Sequence, residues 1–449
     1  MTAPSSTRPR IRFIGYPIPT TPAQLAMIGK DQGPGSVVGT YLGHDAFAAD
    51  VAARVAVFAR AVETARAALP VHEDPASVIN LFVAPEFYFH GPRGPYIYAP
   101  GEPDPVELIR AALVEALPAA TYPNWTFVCG TAITTAIHDI ERVFGDDRTT
   151  VRNAVVETLA RQWQASVGPL NAVIFDMLIN FIKTCHGYPC LEVRNRALIV
   201  SHVGLQLPGG AGSIHELTCE KYFVSNEDFI LYDTDGRNDV VTEQMIAYPD
   251  IDLSAGDLKR APFDAHAIFG LDGGEDDTRP IELGVEICLD HADLRLRRNI
   301  DNEPWPAPGG GLDVQLIPSC GMQIELASVA SEAGGFVFNA DGEYGVGHHQ
   351  PGAPRRGVLA GVDCLYTNYV DPTDASYGGH TQLARVQTAA VGDDPRRPGS
   401  LDASFAPLDP ARVLVLDIAR TPGLDAVFAG GPGQLHIYGA LEPYTLGPR

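Results

Sequence analysis

The stretch VINLFVAPE, residues 78–86, decides the class of fold that this sequence predicts. Val78–Val83 is an almost continuous apolar run of strand length, which is typical of a strand covered on one or both faces of its sheet. Before this run, from His44 to Leu69, apolar residues recur every three or four positions and predict an amphipathic helix. After it, a helix is predicted over Val106–Leu117 and a strand over Trp125–Ile133. This alternation of strands and helices predicts an α/β fold.

Further elements extend the pattern toward both ends of the chain. Additional strands are predicted at Ile11–Tyr16, Ala197–Val203, Ile281–Ile287, Val314–Ile317, Phe336–Asn339 and Val413–Asp417. Helical spacing from Met322 to Ala333 predicts another helix, with Gly334 and Gly335 as its C-terminal caps.

Two segments interrupt the alternation and predict insertions into a single domain. Helical spacing over residues 154–183 predicts a helical insertion, which serves either as a subunit contact or lid or simply as an extension of the core. Residues 231–280 are rich in Asp, Gly and Pro, which predicts a loop insertion with one short element. With these insertions, the 449 residues are consistent with one folded domain over residues 1–449.

The charge of the chain excludes some classes of partner. Acidic residues outnumber basic ones by 55 to 32, and the net charge of −23 repels phosphate backbones and anionic membrane surfaces. We therefore expect no nucleic acid and no membrane as partners. Residues 1–12 lack the apolar stretch of a signal peptide, and the most apolar window, Val173–Ile182, is too short to span a bilayer. These features predict a cytoplasmic protein.

The cysteines and glycines indicate neither a disulfide framework nor a cofactor site. Seven cysteines are an odd number, and they are scattered along the chain. Cys185 and Cys190 lack a second pair of ligands at zinc-like spacing, so they are interpreted as ordinary thiols and no metal is expected. Gly209–Gly212 lacks the lysine and the helix start of a phosphate-binding loop, and it predicts a turn.

Three polar residues stand at or just beyond predicted strand ends, where open α/β sheets bind their ligands. They are Glu86, Lys221 and Cys288. Taken singly, a cysteine after a strand is usually a core residue, and a lone glutamate or lysine is usually a solvated charge. Together, a carboxylate, an ammonium group and a thiol are the groups that cysteine-based hydrolysis of a poor electrophile requires.

The sequences around these residues resemble the catalytic signatures of the carbon-nitrogen hydrolase, or nitrilase, superfamily. The resemblance lies in Ala84–Phe87, in Lys221 followed by Glu227, and in Gly284–Asp290, which occur in the order of the family's motifs. It covers the chain from about residue 11 to residue 345. The segments that separate the three motifs are longer here than is usual in the family.

The resemblance implies a four-layer α-β-β-α sandwich that forms a homo-oligomer, with one active site per chain and no metal or organic cofactor. It implies that Cys288 is the nucleophile, that Glu86 acts as the base, and that Lys221 stabilises the oxyanion. The backbone N–H of Leu289 is the expected second oxyanion donor, and Glu227 resembles a second glutamate that orients the lysine and the substrate. The expected reaction is hydrolysis of a small-molecule amide or carbamoyl compound through a cysteine thioester, with release of ammonia or an amine.

Other interpretations stay open at this point. Leu289-Asp290 follows the cysteine where strict nitrilases commonly have Trp-Glu; this favours amides, with nitrile hydrolysis as the alternative. A non-catalytic binding or assembly protein on the same fold is a second class of function. Cys288 and His291 are a further candidate nucleophile pair, although residues this close in sequence need not face each other. Phe87–Phe89 either line a substrate pocket or pack beneath the helices.

Overall fold

The chain, described here by a computed structural model, is a mixed α/β protein built on one large sheet. In the part of the chain that the structure describes, fifteen strands form this sheet, two form a separate hairpin, and there are few helices. The described residues are 10–20, 24–28, 36–40, 42–70, 77–92, 94–98, 102–138, 148–165, 171, 174–175, 177–178, 190–208, 210, 212–221, 264, 266–272, 280–298, 311–343, 361–366, 379–392, 399–409, 412–421, 423, 427–428 and 431–447.

The elements are numbered in chain order. The strands are β1 Arg10–Gly15, β2 Gln24–Ile28, β3 Ser36–Thr40, β4 Val78–Ala84, β5 Tyr96–Tyr98, β6 Trp125–His138, β7 Cys190–Gln206, β8 Ile214–Glu220, β9 Ile268–Leu271, β10 Ile281–Val285, β11 Leu312–Ser319, β12 Ser331–Asp341, β13 Val362–Tyr366, β14 His380–Thr388, β15 Ser404–Ala406, β16 Val413–Asp417 and β17 Gln434–Tyr438. The helices are α1 Phe47–Ala67, α2 Pro105–Ala116, α3 Arg148–Ala165, α4 Leu289–Ala292 and α5 Arg295–Arg298, with a 3-10 helix at Leu326–Ser328.

Two groups of parallel strands form the main part of the sheet. β1, β4 and β6 pair in parallel in one group, and β10, β11 and β12 pair in parallel in the other. The strand order is β13-β14-β12-β11-β10-β9-β7-β6-β4-β1-β17-β16, and β5, β8 and β15 pair beside it. Because parallel strands run in the same direction, the carboxyl ends within each group lie at one edge.

The two groups of strands share one apolar core. Phe13 on β1 lies 5.2 Å from Phe336 and 5.3 Å from Phe338 on β12, measured between ring centroids. These strands are far apart in the sheet order, and all three rings are fully buried. Burying a phenylalanine side chain stabilises a fold by roughly 1.5–3 kcal/mol. The sheet therefore curves so that the two parallel groups face each other across this core.

A second core lies on the other face of β1, β4 and β6, beneath α1 and α2. Phe58 of α1 contacts Phe82 of β4 with 5.1 Å between ring centroids, and Ile109 of α2 is buried in the same core. The two helices predicted within His44–Leu69 and over Val106–Leu117 are therefore confirmed, and their buried faces lie against the sheet. The predicted strands near Glu86 and Cys288 are also confirmed, as β4 and β10.

The prediction of a helix from Met322 to Ala333 is wrong. Only a 3-10 helix at Leu326–Ser328 forms there, and β12 already begins at Ser331. The Gln315 side chain of β11 binds this segment, since its Nε2 donates to Ser328 O over 3.0 Å and its Oε1 accepts from the Ala330 N–H over 2.8 Å. Tertiary hydrogen bonds thus override the local helical spacing.

The predicted caps Gly334 and Gly335 are likewise wrong, because both lie inside β12. A Cβ at Gly335 would come within 2.6 Å of Asp313 O, so glycine permits the close approach of β11 and β12 here.

The two predicted insertions are described only in part. α3 falls partly within residues 154–183 and begins before them, at Arg148. Within residues 231–280 the described positions are 264, 266–272 and 280, and they include β9, the one short element found there. Among the described residues, no helix is both long and apolar enough to cross a membrane.

Candidate active site

The three candidate residues follow three strands, and all three are buried. Glu86 comes after β4, Lys221 after β8 and Cys288 after β10. Their exposed fractions are 0 %, 6 % and 6 %. Burying a charge is costly unless the charge is paired and hydrogen-bonded, so the partners of the two charged groups matter.

Glu86 and Lys221 form a buried ion pair. Lys221 Nζ donates to Glu86 Oε1 over 2.9 Å. Asn195 on β7 donates from Nδ2 to the same oxygen over 2.8 Å. The backbone carbonyl of Asn195 also accepts from the Lys221 N–H over 2.8 Å. One residue of β7 therefore positions both members of the pair.

The turn that carries Glu86 is fixed by β6. Phe87 has a φ of 59°, which residues other than glycine rarely adopt, and its N–H donates to Thr131 Oγ1 over 2.8 Å. Gly130 lies against this turn with a φ of +80°, and a Cβ there would come within 2.5 Å of Pro85 O. Glycine at position 130 therefore allows β6 to approach the turn closely.

Cys288 occupies a strained turn between β10 and α4. Its φ is 49° and its ψ is −108°, outside the main allowed regions. The Asp290 N–H donates to Ile287 O over 3.0 Å and the His291 N–H donates to Cys288 O over 2.9 Å, which closes the turn. Backbone strain of this kind clusters at functional sites, and a sharp strand-to-helix turn presents the nucleophile in α/β-hydrolases. Leu289 is the first residue of α4, where backbone N–H groups have no partner within the helix.

Residues 318–320, at and just after the end of β11, connect Glu86 to Cys288. The Cys288 N–H donates to Pro318 O over 3.1 Å, and the Glu86 N–H donates to Ser319 O over 3.2 Å. Cys288 Sγ lies 3.7 Å from Cys320 O. The backbone N–H groups of Glu86 and Cys288 are therefore bound by consecutive residues of one strand end, and Lys221 joins this arrangement through the Glu86 carboxylate.

Asp341, at the end of β12, holds the backbone that follows β11. Its Oδ2 accepts from Ser319 Oγ over 2.7 Å, from the Gly321 N–H over 2.8 Å and from the Met322 N–H over 2.9 Å. Asn339 adds a bond from Nδ2 to Met322 O over 2.7 Å. Two buried polar side chains of β12 thus fix the segment to which Glu86 and Cys288 are attached.

Both ring nitrogens of His291 are engaged by groups other than Cys288. Its Nε2 accepts from the Glu325 N–H over 3.0 Å, so Nδ1 carries the proton and donates it to Glu286 Oε2 over 2.6 Å. Gln315 Nε2 also donates to Glu286 Oε2, over 2.6 Å. This geometry supports a structural role for His291 and does not support a Cys288–His291 nucleophile pair.

Arg295, the first residue of α5, joins α4 to the end of β8. Arg295 Nη1 donates to Asp290 Oδ2 over 3.0 Å and to Glu220 O over 2.7 Å. The Glu220 carboxylate is in turn held by Arg194, whose Nε and Nη2 donate to its two oxygens over 2.9 Å and 2.6 Å. The strand before Lys221 and the helix after Cys288 are therefore tied together by buried charges.

The cysteines of the described part differ in their surroundings. Cys129, Cys219, Cys288 and Cys320 are all present as thiols. Burial raises the pKa of the Cys129 thiol, which lies in the core beneath the helices. Burial also raises the pKa of the Cys320 thiol well above its usual value, and nearby carboxylates that include Glu86 raise it further. Cys129 and Cys320 are therefore protonated, and poor nucleophiles, near neutral pH.

The aromatic residues after Glu86 mainly pack. Tyr88 and Phe89 belong to the core beneath the helices, and the Tyr88 ring centroid lies 5.6 Å from that of Phe58. Phe87 is 5 % exposed. For Tyr88 and Phe89 the packing interpretation is the one that the contacts support.

One candidate from the sequence, Glu227, cannot be placed, and the site contains three residues that the sequence analysis did not select. Glu227 lies outside the described residues, as do Cys185 and the segment that leads from it to β7. Asn195 carried a usable signal, because it lies in the strand before the lysine motif. Asp341 and Glu286 had only weak signals, since each is a single acidic residue at a strand end.

Within the described ranges, no three side chains of His, Cys, Asp or Glu are grouped so as to hold a metal ion. In comparisons with known proteins, no family model matches the chain, and no curated protein or solved structure is significantly similar to it.

Proposed function

We propose that this chain hydrolyses a non-peptide carbon-nitrogen bond in a small-molecule amide or carbamoyl compound, as its resemblance to the nitrilase superfamily implies. The observation that carries the proposal is that the strained turn of Cys288 and the turn of Glu86, which forms a buried ion pair with Lys221, are bound by the same strand end. A base, a cation and a thiol from three distant segments are the groups that this chemistry needs. A cysteine that serves only to pack the core does not require a strained backbone conformation.

The first half-reaction forms the thioester. Glu86 takes the proton of the Cys288 thiol, and the thiolate attacks the carbonyl carbon of the substrate. Lys221 Nζ and the Leu289 N–H stabilise the negative charge that develops on the carbonyl oxygen. The proton on Glu86 then passes to the substrate nitrogen, the carbon-nitrogen bond breaks with its electron pair on nitrogen, and ammonia or an amine leaves.

The second half-reaction restores the thiol. Glu86, now again a carboxylate, takes a proton from water, and the resulting hydroxide attacks the thioester carbon. The carbon-sulfur bond breaks, the acid product leaves, and the sulfur regains a proton from Glu86. One water is consumed for each ammonia or amine released, and no metal or organic cofactor takes part in the proposed steps.

The proposal includes a four-layer α-β-β-α arrangement of the chain. It is supported by the core that the two facing groups of parallel strands share, and by α1 and α2 on the outer face of one group. The proposed homo-oligomer forms through the helical faces. Sedimentation velocity over a range of concentrations checks this, because a homo-oligomer sediments with at least twice the mass of the 48.0 kDa chain. A monomer at every concentration would contradict it.

The function is tested with a panel of small amides, carbamoyl compounds and nitriles, with ammonia or amine release as the readout. We expect release from amides or carbamoyl compounds by the parent protein and none by Cys288→Ala. Cys129→Ala is the matched control, since it also removes a buried thiol but one in the core beneath the helices.

Three results would decide against the proposal. Equal release by Cys288→Ala and the parent protein would exclude the thioester. A parent protein that hydrolyses no member of the panel yet binds some of them tightly would favour the non-catalytic alternative. Release from nitriles alone would move the activity to the nitrilase alternative.

A further inference from the structure

Asn195 contacts both residues of the buried ion pair through its Nδ2 and its backbone carbonyl. Its side-chain oxygen Oδ1 takes no part in these contacts. The residue is 3 % exposed on β7. Its Nδ2 donates to Glu86 Oε1 over 2.8 Å. Because an ionised carboxylate only accepts hydrogen bonds, this contact fixes the orientation of the carboxamide, with the nitrogen toward Glu86 and the oxygen Oδ1 on the other side.

The oxygen of this carboxamide is a buried acceptor in need of a donor. Within the described part of the chain, Asn195 Oδ1 is inaccessible to solvent and accepts no hydrogen bond. Buried polar atoms in proteins are nearly always hydrogen-bonded, and an exception calls for an explanation. Here the exception belongs to the same side chain that binds the proposed general base.

We propose that Asn195 Oδ1 accepts a hydrogen bond from the N–H of the substrate's scissile amino group, so that the preferred substrates are amides and carbamoyl groups whose scissile nitrogen carries a hydrogen. This inference rests on the proposed function. It assigns to Asn195 a specificity role in addition to its positioning of Glu86 and Lys221. The alkoxy oxygen of an ester and the nitrogen of a nitrile carry no hydrogen, so these substrates cannot donate to Asn195 Oδ1.

The chemistry of the leaving group explains why an acceptor belongs at this place. In the tetrahedral intermediate the nitrogen carries two hydrogens and one lone pair, and the lone pair must receive the proton from Glu86. An N–H held by Asn195 Oδ1 limits rotation about the carbon-nitrogen bond and keeps the lone pair toward the neighbouring Glu86. The proton then moves to nitrogen and ammonia leaves with the bonding electrons.

The test compares an amide with the methyl ester of the same acyl group, each measured as kcat/KM. In Asn195→Leu we expect amide hydrolysis to fall about 10- to 100-fold more than ester hydrolysis, since a buried hydrogen bond is lost only with the amide. An equal fall for both substrates means that Asn195 acts only through Glu86 and Lys221, and it overturns the specificity role.

Asn195→Asp separates the two functions of the side chain. It keeps an acceptor oxygen but places a second carboxylate beside Glu86, which disfavours ionisation of the base. We expect both rates to fall and their pH profiles to shift upward, while the amide-to-ester ratio stays near that of the parent protein. A ratio as low as that of the leucine variant would contradict the acceptor role.

The failure of this inference and that of the proposed function are distinguishable. If the parent protein hydrolyses amides and esters through Cys288 but Asn195→Leu keeps the parent ratio, only the Asn195 assignment fails. If the parent protein hydrolyses neither substrate, the proposed function fails and the Asn195 assignment with it. Where the leucine variant does not fold, Asn195→Ala removes the same acceptor with a smaller side chain and gives the same comparison.

Discussion

Replacing Lys221 by methionine removes one partner of the buried ion pair with little change in the size of the side chain. Methionine keeps much of the length of the lysine stem, but it removes the charge, the 2.9 Å contact with Glu86 Oε1 and the proposed oxyanion donor. The backbone N–H at position 221 still donates to Asn195 O, so the path of the chain is preserved.

Two losses of different origin are expected from Lys221→Met. Removing one oxyanion donor lowers kcat by about 10²- to 10³-fold. Removing one partner of a buried ion pair costs roughly 3–5 kcal/mol of unfolding free energy, because the remaining charge stays in a site with little solvent. Asn195 continues to donate to the Glu86 carboxylate, so we expect the lower end, about 3 kcal/mol.

The assays are kcat and KM with the fastest amide of the panel, and urea unfolding at neutral pH. Arg194→Met is the matched control, since it removes another buried ion pair, with Glu220 at 2.6 Å, from the strands that carry Asn195 and precede Lys221. We expect a similar loss of unfolding free energy from both variants, but a much smaller loss of kcat from the control. A Lys221→Met enzyme within about 10-fold of the parent kcat would refute the oxyanion role.

Three further predictions concern Glu86, Asp341 and His436. Glu86→Gln should lower kcat by about 10²- to 10⁴-fold because both half-reactions lose their base; normal turnover in a steady-state assay would remove Glu86 from the mechanism. Asp341→Asn should lower the unfolding free energy in urea by about 2–4 kcal/mol, because the amide nitrogen that replaces one carboxylate oxygen cannot accept hydrogen bonds; unchanged stability would show that the bonds of Asp341 Oδ2 contribute little. His436 has its pKa lowered from 6.5 to about 3, by burial and then by His380, so this group's contribution to stability is complete above pH 6.5 and is lost as the pH falls toward 3. His436→Gln should therefore make the unfolding free energy less dependent on pH between pH 6.5 and 5, and an unchanged slope in urea titrations would contradict this assignment.

The strand ends were predictable from the sequence because burial is encoded locally. Val78–Val83 is almost entirely apolar, as a strand within a covered sheet must be, and the first polar residue after Pro85 follows directly on the end of the strand. The same reasoning placed Cys288 after β10. Such patterns indicate which residues follow the carboxyl end of a strand. Parallel pairing then places the carboxyl ends of neighbouring strands next to one another.

The contacts that hold the site together were not predictable in the same way. The bonds from the Glu86 and Cys288 N–H groups to Ser319 O and Pro318 O depend on the packing of strand ends that are remote in sequence. The local sequence around Glu86 or Cys288 does not specify which strand end its N–H group binds. The orientation of the Asn195 carboxamide likewise follows only from its contact with Glu86.

The failed prediction of a helix from Met322 to Ala333 shows that tertiary contacts can override the local apolar spacing. Apolar spacing from Met322 to Ala333 matches a helical face, but Gln315 on β11 binds the backbone on either side of Val329. Gly335 also allows β12 to approach β11 more closely than a Cβ would permit. A glycine that serves close packing of strands has the same appearance in sequence as a glycine that ends a helix.

The most direct test of the central claim needs no known substrate. The native protein is exposed briefly to iodoacetamide near neutral pH, and the labelled cysteines are located by peptide mass spectrometry. A thiol beside a base and a cation reacts faster than an unperturbed thiol, whose pKa is about 8.5. We predict that Cys288 is labelled ahead of the other cysteines, and that Glu86→Gln removes this preference. An unreactive Cys288, in a protein whose other cysteines react, would contradict the account and make Cys288 a packing residue.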